Sequence, residues 1–435
     1  MVQDDGPVGL DGVRVAFDDE RVVSDAGLML VATLAARLGI EELAQRFVRL
    51  RPKLPGAGNA GRKVMSLIYA MALGADSIDD CDVLRAGRTR RLLGGWVAAP
   101  STLGTFLRAF TFGHVRQLDR LLAEALTRAW RAGAGPGAGR LTVDVDSFIG
   151  EVFGHAKQGA AFGYTRKRGY HPIVASRAQT GEILHIRLRK GSANTSRGML
   201  RFTDELIARV KRAGATGPKL LRADSGFWSA KVFARLANAG WQYSIGVRLQ
   251  PHVRTAIEQI SEAAWQTLAD YPPTSIAQIA ETVLGDQRLI VRRVRTLNAQ
   301  GELLPSWEYF PFATNRTEQI AVVEAEHRQH AVVELVIRDL KDQALAHFPS
   351  GHFCANAAWT VISALAHNVL RWTELLGLPG GIIRAARSIR RRLLALPGRL
   401  TRHAGRWTLH LPARWPCKTD FTEALTRIRA LPAVA

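Results

Sequence analysis

Hydrophobic positions in the first third of the chain recur at intervals of three and four residues, which places them on one face of an α-helix. The pattern predicts a helix with Ser24 as its N-cap that stops at Gly39, a longer helix from about His114 to Trp130, and short helices between them. Residues 1–130 are therefore expected to form an all-helical domain. Its arginine-rich loops are typical of DNA binding, although a helical scaffold with solvated arginines has the same pattern.

The periodicity changes after residues 131–140, RAGAGPGAGR, which have no apolar face and are predicted to be a linker. The next stretch, LTVDVD, alternates with a period of two, so its apolar residues face the core and Asp144 and Asp146 share the opposite face. Two neighbouring carboxylates persist either where water solvates them or where a cation compensates them. A surface strand end and a metal site are both compatible with this pattern.

Strands and helices then follow in the order of a ribonuclease H-like α/β core: three strands, a helix, a strand, a helix and a strand. Asp224, in LLRADSGFW, ends the fourth strand. The carboxyl ends of strands in an open α/β sheet converge on one crevice, so Asp224 is expected near Asp146. A helix-capping aspartate is the alternative interpretation of this position.

The second half of the chain predicts an interruption of that core. Residues 141–250 form its first part, residues 251–316 are a basic, β-rich insertion, and residues 317–375 return to the core. A long helix is expected over 324–345, with Val333, Val336 and Leu340 on its buried side. Its other side carries a row of charged and histidine side chains, for which surface i,i+4 pairing is the alternative: His327, His330, Glu334, Arg338 and Lys341.

Charge indicates the kind of partner. The 435 residues contain 59 Lys and Arg against 38 Asp and Glu, a net charge of +21, and such a surplus favours a polyanion such as double-stranded DNA. The basic C-terminal region, residues 376–435, is expected to follow phosphates through Arg390, Arg391 and Arg392, with a solvated tail as the alternative.

Cysteine usage and hydropathy indicate a cytoplasmic protein. Three scattered cysteines form neither a disulfide framework nor a zinc module and fit a reducing compartment. The acidic start lacks the layout of a secretory signal, and no apolar run appears long enough for a spanning helix, so no membrane partner is expected.

Several motifs together resemble the DDE-type transposases of bacterial insertion sequences, in the branch with a β-rich insertion before the last acidic residue. The resemblance covers about residues 141–371 and rests on DVDSF, GYTRKRGYHPIV, LRKGSANTSRG, LLRADSGFW and ELVIRDLKD. It implies that Asp146, Asp224 and Glu334 are catalytic and hold two Mg²⁺ ions, with Mn²⁺ as a substitute. Asp146 is preferred because Ser147 follows it, and Asp144 is the alternative first carboxylate or a group that orients it.

The resemblance also implies an activity, an oligomeric state and a cellular location. The enzyme would nick insertion-sequence ends and join the freed 3′-hydroxyl to target DNA, as a homodimer on double-stranded DNA in a bacterial cytoplasm, associated with the nucleoid. Two other functions remain open: a non-catalytic DNA-binding repressor derived from such an enzyme, and a metal-dependent nuclease without strand transfer.

The branch carries a Tyr-x2-Arg-x3-Glu-x6-Lys signature that this sequence matches only in part. Glu334 and Lys341 match, whereas His327 stands at the Tyr position and His330 at the Arg position. Lys341, His330 and Arg338 are expected to contact phosphates near the cut. A histidine is fully charged only below its pKa, about 6.5 when unperturbed. The charge at the Arg position of the signature, which His330 occupies, therefore depends on pH.

Overall fold

The structure, a computed structural model, describes residues 10–163, 166–296, 306–380 and 383–433. Parts of three predicted features lie outside the described residues: Tyr164 and Thr165 of the GYTRKRGYHPIV stretch, residues 297–305 of the insertion, and Ile382 at the start of the arginine-rich run.

Helices predominate before β2 and alternate with strands in the rest of the described chain. Their bounds are α1 (Leu28–Arg37), α2 (Ile40–Phe47), α3 (Ala60–Ala72), α4 (Thr89–Leu92), α5 (Pro100–Arg108), α6 (Phe112–Ala129), α7 (Met199–Ala213), α8 (Ala230–Asn238), α9 (Pro251–Glu258), α10 (Ile320–Arg328), α11 (Val333–Lys341), α12 (Phe353–Gly377), α13 (Ala386–Ile389) and α14 (Lys418–Ala430).

The described strands form one large sheet and two small ones. Their bounds are β1 (Val22–Val23), β2 (Leu141–Ser147), β3 (Gly150–Glu151), β4 (Ala161–Phe162), β5 (Arg168–Tyr170), β6 (Ile173–Arg177), β7 (Ile183–Arg187), β8 (Lys219–Ala223), β9 (Gln242–Gly246), β10 (Gln266–Thr267), β11 (Ser275–Leu284), β12 (Gln287–Thr296), β13 (Glu308–Thr314), β14 (Gly398–His403) and β15 (Arg406–His410).

The large sheet has the strand order β10-β11-β12-β13-β9-β8-β2-β6-β7. Its centre is parallel, with β2 beside β8 and β8 beside β9, and β6 and β7 continue it as antiparallel strands. Val145 pairs with Ala223, which in turn pairs with Ile245. Asp146 follows Val145, and Asp224 follows Ala223. The two aspartates therefore lie side by side at the carboxyl ends of neighbouring strands.

The predicted β-rich insertion extends this sheet. Strand β13 pairs antiparallel with β9, Phe312 opposite Gly246, and β12 and β11 add on beyond it. This pairing satisfies backbone groups of β9 that an edge strand would leave open.

The helix predicted over 324–345 is two helices. Between α10 and α11 the chain forms a 3₁₀ turn at Gln329–Val332. The guanidinium of Arg222 reaches the break from β8 and donates to the carbonyl oxygens of Glu326 and, at 3.4 Å, Gln329. The Glu326 and Gln329 carbonyls thus accept from the Arg222 side chain at the point where the helix is interrupted. The expected buried residues Val333, Val336 and Leu340 are confirmed.

The N-terminal helices share one hydrophobic core with the sheet. Helix α12 packs against α3, α6 and β7, and its amide Asn368 bonds both the N–H and the carbonyl of Ile183 at 2.7 Å. This helix is long and apolar enough to cross a membrane by length and composition. Since 89% of its most apolar window is buried within the fold, it is a core helix here.

The predicted linker begins as part of a helix. A π-helical turn, Trp130–Ala134, extends α6, and the indole N–H of Trp130 donates to Glu182 at 2.6 Å. Arg177 donates to the carbonyl of Ala134 at 2.9 Å. These contacts come from β6 and from the turn that leads into β7, which explains why a glycine- and alanine-rich stretch is ordered there.

The first helix begins later than predicted, at Leu28 rather than after Ser24. The N–H groups of Ala26 and Gly27 donate to the carbonyls of Leu396 and Leu394 at 2.8 and 3.2 Å. Just before this turn, β1 pairs with β14, which pairs with β15 in a small sheet. The N-terminal segment is therefore shaped by residues near the other end of the chain.

Candidate functional site

The two aspartates stand at neighbouring strand ends, and both accept backbone hydrogen bonds. Asp146 accepts from its neighbour Ser147 N–H at 2.6 Å. Asp224 is exposed and accepts from Gly226 N–H at 3.0 Å, as the N-cap of the short 3₁₀ turn Ser225–Phe227. The capping interpretation of Asp224 is thus confirmed, and this role leaves its exposed carboxylate at the sheet edge.

Glu334 lies opposite these strand ends. It is exposed in the first turn of α11, and it lines a cavity of about 520 Å³ together with Asp224, His327 and His330. The break between α10 and α11 places this first turn at the cavity. The structure therefore brings Glu334 to the cavity that Asp224 also lines.

Electrostatics link the three carboxylates. Burial raises the pKa of Asp146 from 3.8 to about 6; the Ser147 N–H and His330 oppose this shift, while the charges of Asp224 and Glu334 add to it. Acidic groups that disfavour each other's ionised form create a site that a cation would stabilise.

The donor set fits a hard divalent cation, since carboxylate oxygens are the ligands that Mg²⁺ prefers. As the side chains stand, no group of three His, Cys, Asp or Glu residues within the described parts of the chain is arranged to hold a metal ion. One carboxylate oxygen of Asp146 accepts from the Ser147 N–H, and one oxygen of Asp224 accepts from the Gly226 N–H. Each aspartate therefore has one oxygen bound to the backbone in this arrangement.

Asp144 has a different role from Asp146. It is fully buried, and its two carboxylate oxygens accept from the Arg222 guanidinium at 2.7 and 2.9 Å. The two residues are register partners on β2 and β8. Both Asp144 oxygens are therefore engaged by Arg222.

The two histidines of the partial signature make internal contacts. His327 stacks on Phe312 with ring centroids 4.1 Å apart, and its Nδ1 lies 2.7 Å from Ser244 Oγ. Burial, with the nearby positive charges of His330 and Arg222, lowers the pKa of His327 to about 3, so it is neutral at physiological pH. His330 Nε2 lies 3.2 Å from the carbonyl oxygen of Val145 and ties the turn before α11 to β2.

Two predicted DNA contacts on α11 remain accessible. Arg338 and Lys341 are both exposed, and the Lys341 ammonium lies 5.0 Å from the centroid of the Phe148 ring. Spacings of four and three residues align them with Glu334 along one side of the helix. The alignment places positive charge on the same side of α11 as Glu334.

The three C-terminal arginines divide into two kinds. Arg391 and Arg392 are exposed, and Arg392 lies 3.6 Å from Asp420. Arg390 points inward at the start of a π-helical turn and donates to Gln343 Oε1 at 3.0 Å, and burial lowers its pKa. Arg390 is half-buried and partly held by this contact, and its contact with DNA stays a prediction.

Sequence reasoning missed two residues that organise the site. Arg222 fixes Asp144 and the α10–α11 break, and its signal was a charged residue inside the apolar strand LLRAD. His171 Nε2 lies 2.9 Å from Ser147 Oγ, next to Asp146. Nothing in the local pattern indicated that second contact.

Comparisons with known proteins assign nearly the whole chain to one family. The family model described as transposase DDE domain group 1 matches residues 6–433. The comparison with curated proteins finds no match. Among solved structures, a cryo-EM structure of a piggyBac transposase synaptic complex with hairpin DNA is similar at 13% sequence identity and a TM-score of 0.44, over 86% of this chain and 80% of that chain.

Proposed function

The chain belongs to the transposase DDE domain group 1 family, and on this premise we propose that it cleaves the ends of an insertion sequence and joins the freed 3′-hydroxyl to target DNA. The observation that carries the proposal is the convergence of three acidic residues from distant parts of the chain. Asp146 and Asp224 leave adjacent parallel strands, and Glu334 lines the same cavity as Asp224.

The strand order supports a ribonuclease H-like core within this enzyme. From β7 through β6, β2 and β8 to β9, an antiparallel hairpin joins three parallel strands. In this proposal residues 141–250 and 317–375 form the core, and residues 251–316 are its insertion. Residues 1–130 would serve as a helical DNA-binding region.

Asp146, Asp224 and Glu334 would hold the divalent metal. Two Mg²⁺ ions, when bound, activate the attacking oxygen and stabilise the leaving oxygen of an in-line displacement at phosphorus. The residues prepare this chemistry by holding Asp146 where burial, and to a smaller extent the charges of Asp224 and Glu334, raise its pKa, so a bound cation would stabilise the ionised form. His330 helps to hold this arrangement through the carbonyl of Val145.

Positive side chains would orient the DNA backbone next to the carboxylates. Arg338 and Lys341 are exposed on the helix that carries Glu334, and Arg391 and Arg392 offer a further basic surface. Contacts to phosphate fix the position of the strand without reading its sequence. A homodimer on DNA and a bacterial cytoplasmic location belong to the same proposal.

The test uses purified protein, Mg²⁺ or Mn²⁺, and duplexes that carry the ends of the element encoding the chain. Wild type is compared with Asp224→Asn and with Asp82→Asn, which changes an exposed carboxylate that pairs with Arg85. Cleavage and joining by wild type and Asp82→Asn, with loss of both in Asp224→Asn, supports the proposal. Cleavage without joining indicates a nuclease, and binding without either indicates a repressor.

A further inference from the structure

A second cavity adjoins the acidic one and has a different chemistry. It has a volume of about 220 Å³ and shares Ser225, Val247 and Arg248 with the larger cavity. Its described lining includes hydroxyl and amide side chains, Arg248, His252 and the indole of Trp228, and it includes no carboxylate. A polar, cationic and aromatic lining next to an acidic centre matches the phosphate, sugar and base of a nucleotide.

One wall of this cavity is a loop held from within by an arginine. Residues 188–198 connect β7 to α7, and Asn194, Thr195 and Ser196 line the cavity. The Arg189 guanidinium donates to the carbonyls of Asn194, Thr195 and Arg197 at 3.2, 2.8 and 3.3 Å. Because one half-buried cation binds three carbonyls, the shape of this loop is set before any ligand arrives.

The same loop is connected to the strand that carries Asp146. His171 Nδ1 lies 2.7 Å from the carbonyl of Ala193, and its Nε2 lies 2.9 Å from Ser147 Oγ. Arg189 Nε also donates to the carbonyl of His171 at 2.9 Å. The cavity wall and the end of β2 are therefore held in a fixed relation.

The floor of the cavity is closely packed against the turn that follows Asp224. A Cβ atom at Gly226 would lie 2.7 Å from Thr195 Cγ2. Any side chain at this glycine would displace the loop, so the close approach of the two segments depends on Gly226.

The aromatic side of the cavity is also held rigidly. The Trp228 and Phe233 rings meet edge to face with centroids 4.8 Å apart, and Phe233 stacks on Tyr243 at 4.8 Å. Trp228 keeps part of its surface accessible. A base can stack on such a supported indole at a low cost in side-chain entropy.

We propose that this cavity binds one nucleotide of the DNA strand that passes Asp224, with its base on Trp228 and its phosphate at Arg248. The inference rests on the proposed function and adds a subsite to it. Since stacking accepts any base, the subsite would position the strand without selecting its sequence.

The experiment is photo-crosslinking with 5-iodo-deoxyuridine, which joins covalently to aromatic side chains in contact with it. A series of end duplexes carries the analogue at each position within a few nucleotides of the cleaved bond. The full-length protein binds them with chelator present so that no cutting occurs, and peptide mapping locates the adduct. We expect an adduct on Trp228 from one or two adjacent positions of one strand.

Variants separate stacking from folding. Trp228→Ala is expected to lose this adduct and about ten-fold in DNA affinity, while Trp228→Phe retains most of the affinity. Trp407→Ala, which removes an indole that is 48% exposed, is the matched control and should leave the Trp228 adduct intact.

The outcomes distinguish this inference from the function on which it rests. DNA binding with adducts only at residues other than Trp228 overturns the nucleotide subsite and leaves the proposed function standing. A free deoxynucleotide monophosphate that competes away the Trp228 adduct as well as the DNA strand does would show a separate nucleotide site and would also overturn it. Absence of DNA binding by the wild type contradicts the proposed function itself.

Discussion

Arg222 binds both carboxylate oxygens of Asp144, at 2.7 and 2.9 Å, across the two central strands of the sheet. The pair is buried, with only 3% and 0% of the two side chains accessible. Arg222 also reaches the turn between α10 and α11. One ion pair thus joins the strand of Asp146, the strand before Asp224 and the segment that leads to Glu334.

Removing one partner of this pair should destabilise the protein strongly. Asp144→Asn leaves the Arg222 charge uncompensated in the core, and we expect a loss of about 3 to 5 kcal/mol in the free energy of unfolding. Urea denaturation followed by circular dichroism measures this loss. The double variant Asp144→Leu with Arg222→Met should recover much of it, and a small loss in the single variant would contradict the proposed role of the pair.

Gly27 should not tolerate a side chain. A Cβ atom there would lie 1.7 Å from the carbonyl oxygen of Leu393, so Gly27→Ala must push α1 away from the C-terminal turn. We expect a loss of about 1 to 3 kcal/mol, typical of overpacking, seen as a lower midpoint in thermal unfolding. Gly58→Ala is the matched control because nothing lies within 4 Å of its added methyl group.

The pKa of Asp146 predicts a pH-dependent stability without metal. The folded protein holds this proton up to a pH of about 6, whereas the ordinary value is 3.8. The stabilisation from this group is therefore complete below pH 3.8 and is lost as the pH rises through 6. Asp146→Asn should make the metal-free protein about 1 to 2 kcal/mol more stable than wild type at pH 8 and equally stable at pH 3.5. Equal denaturation curves at pH 8 would contradict this.

Added Mg²⁺ should stabilise the wild type by binding only the folded state. At a concentration about 100 times the dissociation constant, the gain is about 2.7 kcal/mol. Because protons compete for the carboxylates, the shift in melting temperature should shrink as the pH falls below 6. Asp146→Asn should show a much smaller shift than Asp82→Asn, and equal shifts in the two variants would place the metal elsewhere.

Local patterns predicted the elements that carry the site. The alternation in LTVDVD gives β2, the apolar run before Asp224 gives β8, and the spacing of Val333, Val336 and Leu340 gives the buried face of α11. Each of these depends on neighbours in the sequence. The predicted roles of Asp146, Asp224 and Glu334 in catalysis stay predictions.

Three features of the site could not be predicted from the sequence pattern because they depend on residues far away in the sequence. The break after α10 requires Arg222 from another strand, and the inward position of Arg390 requires Gln343. The engagement of Asp144 becomes visible only when Arg222 is placed opposite it on β8. In each case a side chain satisfies a group more than forty residues away, and periodicity carries no information at that range.

The pairing of β1 with β14 joins Val22 and Val23 to Arg399 and Gly398. Strand β1 can therefore pair only after the residues up to Arg399 have left the ribosome. Until then β1 lacks its partner strand, and contacts of such long range slow folding.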